Sequence, residues 1–282
     1  MVTPFAGDGS VDEAAARKLA RHLVDHGSDG LVLAGTTGES PTLDDDEKVS
    51  LLRAVRDELG PDALLVCGTG SNDTAHSQHL SAAAADNGAD ALLVVTPYYN
   101  KPNRAGVKAH FEAVAKAAGI QVIVYNIPSR VVVNIPPDLL AELGQIENIV
   151  AVKQANNDEI DRVDGLTVLA GNDDVFLRCL ESGGAGGILV AAHLVGTEMR
   201  QILDAMRAGD ADRAREIDRS IRPVYEAMTL DTNPIPVKAA AAMAGLIPSA
   251  RMRLPMVEAD ESTRSTLREA LERQGLLTAS AA

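Results

Sequence analysis

Eight apolar, strand-like runs, most of them followed by a helical pattern, recur about every 30 residues through the first two thirds of the chain. Strands alternating with helices predict an α/β protein, and eight such units favour a closed (β/α)8 TIM barrel over an open sheet. Two further observations support that class. Several runs are apolar at consecutive positions, as strands buried on both faces of a parallel sheet are. Beyond Ala191 no further strand-like run occurs, and the remainder reads as helices, which predicts a C-terminal three-helix appendage.

The predicted strands are Val2-Thr3-Pro4 and residues 30–34, 63–68, 91–96, 121–125, 149–153, 166–170 and 187–191. The first holds barely three residues. Between the first two, Ser10 and Glu13 stand at capping-box spacing ahead of Ala15, Leu19 and Leu23, and Gly27 supplies a stop. Thr42 is a candidate cap for the next helix, where Asp44, Asp45, Asp46 and Glu47 suit the positive end of the helix dipole. Residues 156–165 have room for only a short helix. Helices are expected at 198–207, 210–228, 236–244 and 261–274. The first closes the barrel, so the expected division is a barrel catalytic domain over 1–209 and a helical domain over 210–282.

Composition narrows the function. The 282 residues hold 26 Lys+Arg against 40 Asp+Glu, a formal net charge of −14, with the acids spread along the helical segments. Such a surface repels nucleic acid and anionic membranes, and a small anionic ligand would need a local pocket of donors. No run approaches the about 18 apolar residues of a membrane span, and the start lacks the basic and apolar regions of a leader. Two cysteines without a C-x-x-C suggest a reducing cytoplasm. His76 and His79 lie three apart, but no carboxylate or cysteine companion completes a metal site.

Active sites of such barrels lie at the carboxyl ends of the strands. The run Ile149-Val150-Ala151-Val152-Lys153 ends on a lysine where an apolar residue is expected. Burial disfavours the ammonium form, and the neutral amine is what attacks a ketone to give a Schiff base. A lysine that snorkels to water is the alternative. After the second run, Gly35-Thr36-Thr37-Gly38-Glu39-Ser40 is either a tight turn or a backbone cradle for a carboxylate; it is not a P-loop. Thr96-Pro97-Tyr98-Tyr99-Asn100-Lys101-Pro102 and Tyr125-Asn126-Ile127-Pro128-Ser129-Arg130 follow the fourth and fifth runs. Three of the chain's four tyrosines fall there, where a phenol can relay protons and Arg130 can grip a carboxylate. Gly171-Asn172-Asp173-Asp174 could line the mouth or cap a helix. Lys238, in Ile235-Pro236-Val237-Lys238-Ala239-Ala240, is expected to snorkel from its helix.

These motifs, from Val2-Thr3-Pro4-Phe5 to beyond Asn233-Pro234-Ile235-Pro236-Val237-Lys238, resemble the pyruvate-dependent class I aldolase and lyase family that includes N-acetylneuraminate lyase. Arg130 after the Y-N-x-P-S block points to its synthase branch. The resemblance implies condensation of pyruvate with L-aspartate 4-semialdehyde to 4-hydroxy-tetrahydrodipicolinate, in lysine and diaminopimelate biosynthesis, with neither cofactor nor metal. It implies that Lys153 forms the Schiff base, and that Tyr125 moves protons in a relay with Thr36 and with Tyr99 of a neighbouring subunit. Thr36 and Thr37 would receive the pyruvate carboxylate through backbone N–H groups, Arg130 the carboxylate of the semialdehyde, and Ile188 would place a carbonyl near Lys153. A homodimer or homotetramer is implied, in the cytoplasm.

Some features depart from the family pattern. The stretch between Lys153 and Gly171 is short, and Val131-Val132-Val133 follows the arginine where small or polar residues are commoner. Asp45, Lys48 and His76 stand where lysine-inhibited members carry His, His and Glu, so weak or absent feedback by L-lysine is expected. Two other readings stay open: another pyruvate lyase, such as N-acetylneuraminate lyase or a 2-keto-3-deoxy sugar-acid aldolase, and a non-catalytic keto-acid binder.

Overall fold

A computed structural model describes residues 1–277. In chain order the elements are α1 (Glu13–Asp25), β1 (Gly30–Leu33), α2 (Asp45–Leu59), β2 (Leu64–Gly68), α3 (Thr74–Asp86), β3 (Ala91–Val95) and α4 (Arg104–Ala118). They continue with β4 (Gln121–Asn126), α5 (Pro128–Val131), α6 (Pro137–Leu143), β5 (Ile149–Gln154), β6 (Thr167–Ala170), α7 (Phe176–Glu181) and β7 (Gly186–Gly187). The chain then turns wholly helical, through α8 (Ala192–Arg207), α9 (Ala211–Ala227), α10 (Ile235–Met243) and α11 (Glu261–Arg273). Two compact units result, one from Met1–Ala63 with the chain from Val190 onward, the other from Leu64–Leu189.

The second unit is a parallel sheet in which β2 to β7 pair in sequence order. Consecutive buried residues, Leu65-Val66-Cys67, Leu92-Leu93-Val94 and Val122-Ile123-Val124, show why: strands covered on both faces have no polar side to alternate with. Helix α4 covers the sheet with Val107, Phe111, Val114 and Ala118, a stripe at three- and four-residue spacing. Gly70 lets the chain leaving β2 pass the end of β3, since a Cβ there would lie 2.3 Å from the Val95 nitrogen. The pairing of β4 with β5 sets Tyr125 opposite Lys153 and Asn126 opposite Gln154. In-register neighbours on parallel strands face the same side, so the phenol and the amine share one face of the sheet.

In the first unit α1 buries Ala16, Leu19, Ala20 and Leu23, and α8 packs on α9 as α10 does on α11. His193, at the start of α8, accepts a hydrogen bond on Nε2 from the Val2 N–H at 3.1 Å and donates Nδ1–H to the Val190 carbonyl at 2.8 Å. Accepting on Nε2 requires the neutral ring.

Several expectations need correction. Val2-Thr3-Pro4 is not assigned as a strand; the Val2 N–H goes to His193, Pro4 has no N–H to give, and Phe5 makes only an isolated bridge with Val11. The last predicted strand shrinks to Gly186–Gly187. Helix α8 starts at Ala192, ahead of the expected 198, with a non-helical residue at Val195. Asp12 caps α1 through the Ala15 N–H, because Ser10 is held in a turn, its side chain on Asp8 and its carbonyl on the Ala6 N–H. Asp44 caps α2 in a full capping box with Glu47, while Thr42 ends a 3-10 turn. Lys238 does not snorkel. It is 0% exposed and ion-paired with Glu39.

Candidate active site

The carboxyl ends of β4 and β5 build the core of the site. Lys153 is the fifth residue of β5, only 7% exposed, and its Nζ lies 4.3 Å from the centroid of the buried Tyr125 ring. One residue further along each strand, the buried amides of Asn126 and Gln154 meet, Asn126 Nδ2 donating to Gln154 Oε1 at 3.0 Å. Asn126 also donates to Asn134 and the Ile135 carbonyl, and accepts from the Ile135 N–H. Asn134 in turn donates to both oxygens of Glu159. This network ties the loops after both strands to the strand ends, and so holds Tyr125 and Lys153 in place. Thr96, at the end of β3, donates its hydroxyl to the Tyr125 carbonyl at 3.2 Å.

The second unit carries three further predicted residues, Arg130, Ile188 and Tyr99. Arg130 lies exposed on α5, which Pro128 starts immediately after β4. Ile188 extends the β6–β7 ladder, its N–H donating to the Ala170 carbonyl at 2.9 Å. Tyr99 stands apart. It is 88% exposed with a left-handed φ of 70°, and no hydrogen bond or ring contact joins it to Tyr125 or Lys153 among the described residues. A bulky aromatic held in that region of backbone space is strained, which is a pattern of binding and catalytic loops.

In the first unit β1 leads into the turn that carries Thr36 and Thr37. The amides of Gly38 and Ser40 donate to the Gly35 carbonyl at 3.1 and 3.2 Å, and that of Glu39 to the Thr36 carbonyl at 3.1 Å. Thr3 closes the turn from outside through its hydroxyl on the Gly38 carbonyl at 2.7 Å. The amides of Thr36 and Thr37 make no hydrogen bond among the described residues, which leaves two donors for a small anion. Glu39, in the left-handed region at φ 56°, sends its carboxylate inward to Lys238 and to the Arg253 N–H, and Asn233 donates to the Thr37 hydroxyl at 3.1 Å. Burial pulls Lys238 down from the ordinary lysine value, and Glu39 works against that fall. None of Glu39, Lys238, Asn233, Asn126 or Gln154 was singled out as functional from the sequence. Glu39, Asn126 and Asn233 stood inside the motifs without a role of their own, and the apolar run around Lys238 pointed to a snorkelling side chain.

Both cysteines are buried; burial pushes the Cys179 thiol up to about 11, a value at which it is chemically inert.

A shielded lysine beside a tyrosine, at adjacent strand ends of a parallel sheet, is the arrangement of a class I, Schiff-base lyase of the aldolase type. The sequence matches the Dihydrodipicolinate synthetase family over residues 1–274. It is 43% identical to the 4-hydroxy-tetrahydrodipicolinate synthase of Moorella thermoacetica, covering 98% of this chain and 97% of that protein. Against the enzyme of the same name from Desulforudis audaxviator it is 44% identical, over 98% and 96% of the two chains. The crystal structure of dihydrodipicolinate synthase from Aquifex aeolicus superposes with a TM-score of 0.94 at 38% identity, covering 99% of this chain and 97% of that one. The chain belongs to the dihydrodipicolinate synthetase family, and its fold class is the one expected, a βα barrel followed by C-terminal helices.

Proposed function

We propose that this chain condenses pyruvate with L-aspartate 4-semialdehyde to 4-hydroxy-tetrahydrodipicolinate, the reaction after which its relatives are named. The observation that carries the reading is the Lys153 amine 4.3 Å from the Tyr125 ring in a shielded site at paired strand ends. Lys153 attacks C2 of pyruvate and water leaves, giving a protonated imine. That imine draws electrons from the methyl group, which gives up a proton and becomes an enamine carbon. The enamine attacks the aldehyde carbon. The semialdehyde's amine then adds to C2 and displaces the Lys153 amine, closing a six-membered ring.

The roles follow the family pattern. Thr36 and Thr37 hold the pyruvate carboxylate, and their open amides support this. Tyr125 moves protons with Thr36 and with Tyr99 of a second copy; the exposure and strain of Tyr99 support a role outside its own subunit. Arg130 takes the carboxylate of the semialdehyde and Ile188 offers its carbonyl. The active form is then at least a homodimer, or a homotetramer, in the cytoplasm. Among the described residues no helix is long and apolar enough to cross a membrane. The catalytic domain is taken as 1–209 and the helical domain as 210–282. Gly209, with φ 80° between α8 and α9, and the absence of strands beyond β7 among the described residues support that boundary.

The test is reduction with borohydride in the presence of pyruvate, followed by mass spectrometry and assays with both aldehyde classes. A pyruvyl adduct on Lys153 and turnover of aspartate semialdehyde are expected. An adduct with turnover of sugar aldehydes alone would assign a sugar-acid lyase, and no adduct would leave a keto-acid binder.

A further inference from the structure

Glu39 and Lys238 form the deepest ion pair in the first unit, their side chains 2% and 0% exposed, yet the reaction outlined above gives neither a part. Burying two opposite charges gains little over an apolar pair of the same volume, so such a pair stands out when it also holds one particular conformation. Here that conformation is the turn carrying Thr36 and Thr37. Glu39 sits in it at a positive φ that residues with a Cβ rarely adopt. Its carbonyl accepts from the Thr42 N–H and hydroxyl, both at 3.0 Å. Both carboxylate oxygens are taken, one by Lys238 and the other by the Arg253 N–H at 3.1 Å. Phe5 lies under both cations, its ring centroid 4.0 Å from Lys238 Nζ and 4.6 Å from the Arg253 guanidinium carbon. Arg253 is itself clamped by Glu47 and by the Gly9 and Thr42 carbonyls. Five residues before Lys238, Asn233 reaches the Thr37 hydroxyl. Helix α10 and the residues leading into it therefore grip the turn at two points.

We infer that Glu39 and Lys238 are positioning residues, a buried clamp by which α10 holds the turn with the Thr36 and Thr37 amides open to the keto-acid carboxylate. The inference rests on the proposed function for the identity of that anion, but not for the clamp itself.

The variants are Glu39→Gln and the double Glu39→Gln/Lys238→Met. The double variant leaves no unpaired buried charge, so it keeps the fold where the single one strains it. Four quantities are measured: melting temperature, hydrogen exchange across residues 35–43, pyruvate KM and kcat, and the borohydride adduct. Exchange in the turn is expected to rise in both variants. Pyruvate KM is expected to rise about tenfold or more while kcat falls about threefold or less, the signature of lost ground-state binding. The adduct should still form at saturating pyruvate. A lower melting temperature with unchanged pyruvate KM would reduce the pair to a structural element and overturn the inference. If the wild type forms no adduct, the proposed function falls and exchange alone decides: an unchanged turn in the double variant would overturn the clamp.

Discussion

In the proposed mechanism Lys153 answers two demands that oppose each other: an amine nucleophile is favoured by exclusion of water, yet a substrate must reach it. The Tyr125 ring meets the first by covering the amine with carbon, while its hydroxyl remains at the ring edge for proton traffic. Tyr125→Phe separates the two functions, since it keeps the ring and deletes the hydroxyl. We expect the melting temperature to hold, the pyruvyl adduct still to form, and kcat to fall about 10²–10⁴-fold, the usual contribution of a positioned acid–base group. Steady-state kinetics check this, and an unchanged kcat would remove the phenol from the relay. Both residues were legible in the sequence because each breaks a local rule, a lysine closing an apolar strand and a tyrosine at the end of another. Glu39 and Lys238 were not. They lie 199 positions apart, and nothing near either one announces the other. Removing one member of a buried pair typically costs about 3–5 kcal/mol, because the other is left as an unpaired charge.

Among the elements, local patterns decided most boundaries and failed where a turn intervened. Ser10 and Glu13 have capping-box spacing, but the Phe5–Val11 bridge draws Ser10 into its turn and leaves Asp12 at the entrance of α1. At α2 the capping box forms on Asp44 and Glu47, two residues after Thr42, where no such bridge competes. The entrance of α8 shows a different control. His193 joins it to Val2 as a neutral ring, and burial pulls His193 down from 6.5 to about 3. The unfolded chain binds the proton more readily, so this contribution to stability is complete above about pH 6.5 and is lost as pH falls toward 3. Melting temperatures of wild type and His193→Gln across that range check it. The wild type should lose stability more steeply on acidification, and parallel curves would rule out His193 as a source of acid sensitivity.

On the scale of the whole molecule, the net charge of −14 sets a repulsive background for anions, against which, in the proposed function, the open backbone amides and Arg130 work locally. For regulation, we propose that L-lysine inhibits this protein weakly or not at all. Lys48, almost buried and 3.7 Å from Asp45, puts an ammonium where lysine-inhibited relatives are expected to carry an imidazole, and a second cation beside it gains little. Turnover in millimolar L-lysine should match turnover without it; strong inhibition would contradict the reading. By itself the sequence determined the fold class, the βα rhythm, the strand-end lysine and tyrosines and the family, because each is a matter of period, spacing or motif within a short window. Only the tertiary structure decided which acid cancels Lys238, which residue caps α1 and how the amides behind Tyr125 and Lys153 lock the strand ends. The Glu39–Lys238 and Asn126–Gln154 contacts join residues 199 and 28 positions apart, the cap of α1 depends on which turn forms before it, and a buried polar group takes whichever partner the fold brings within reach.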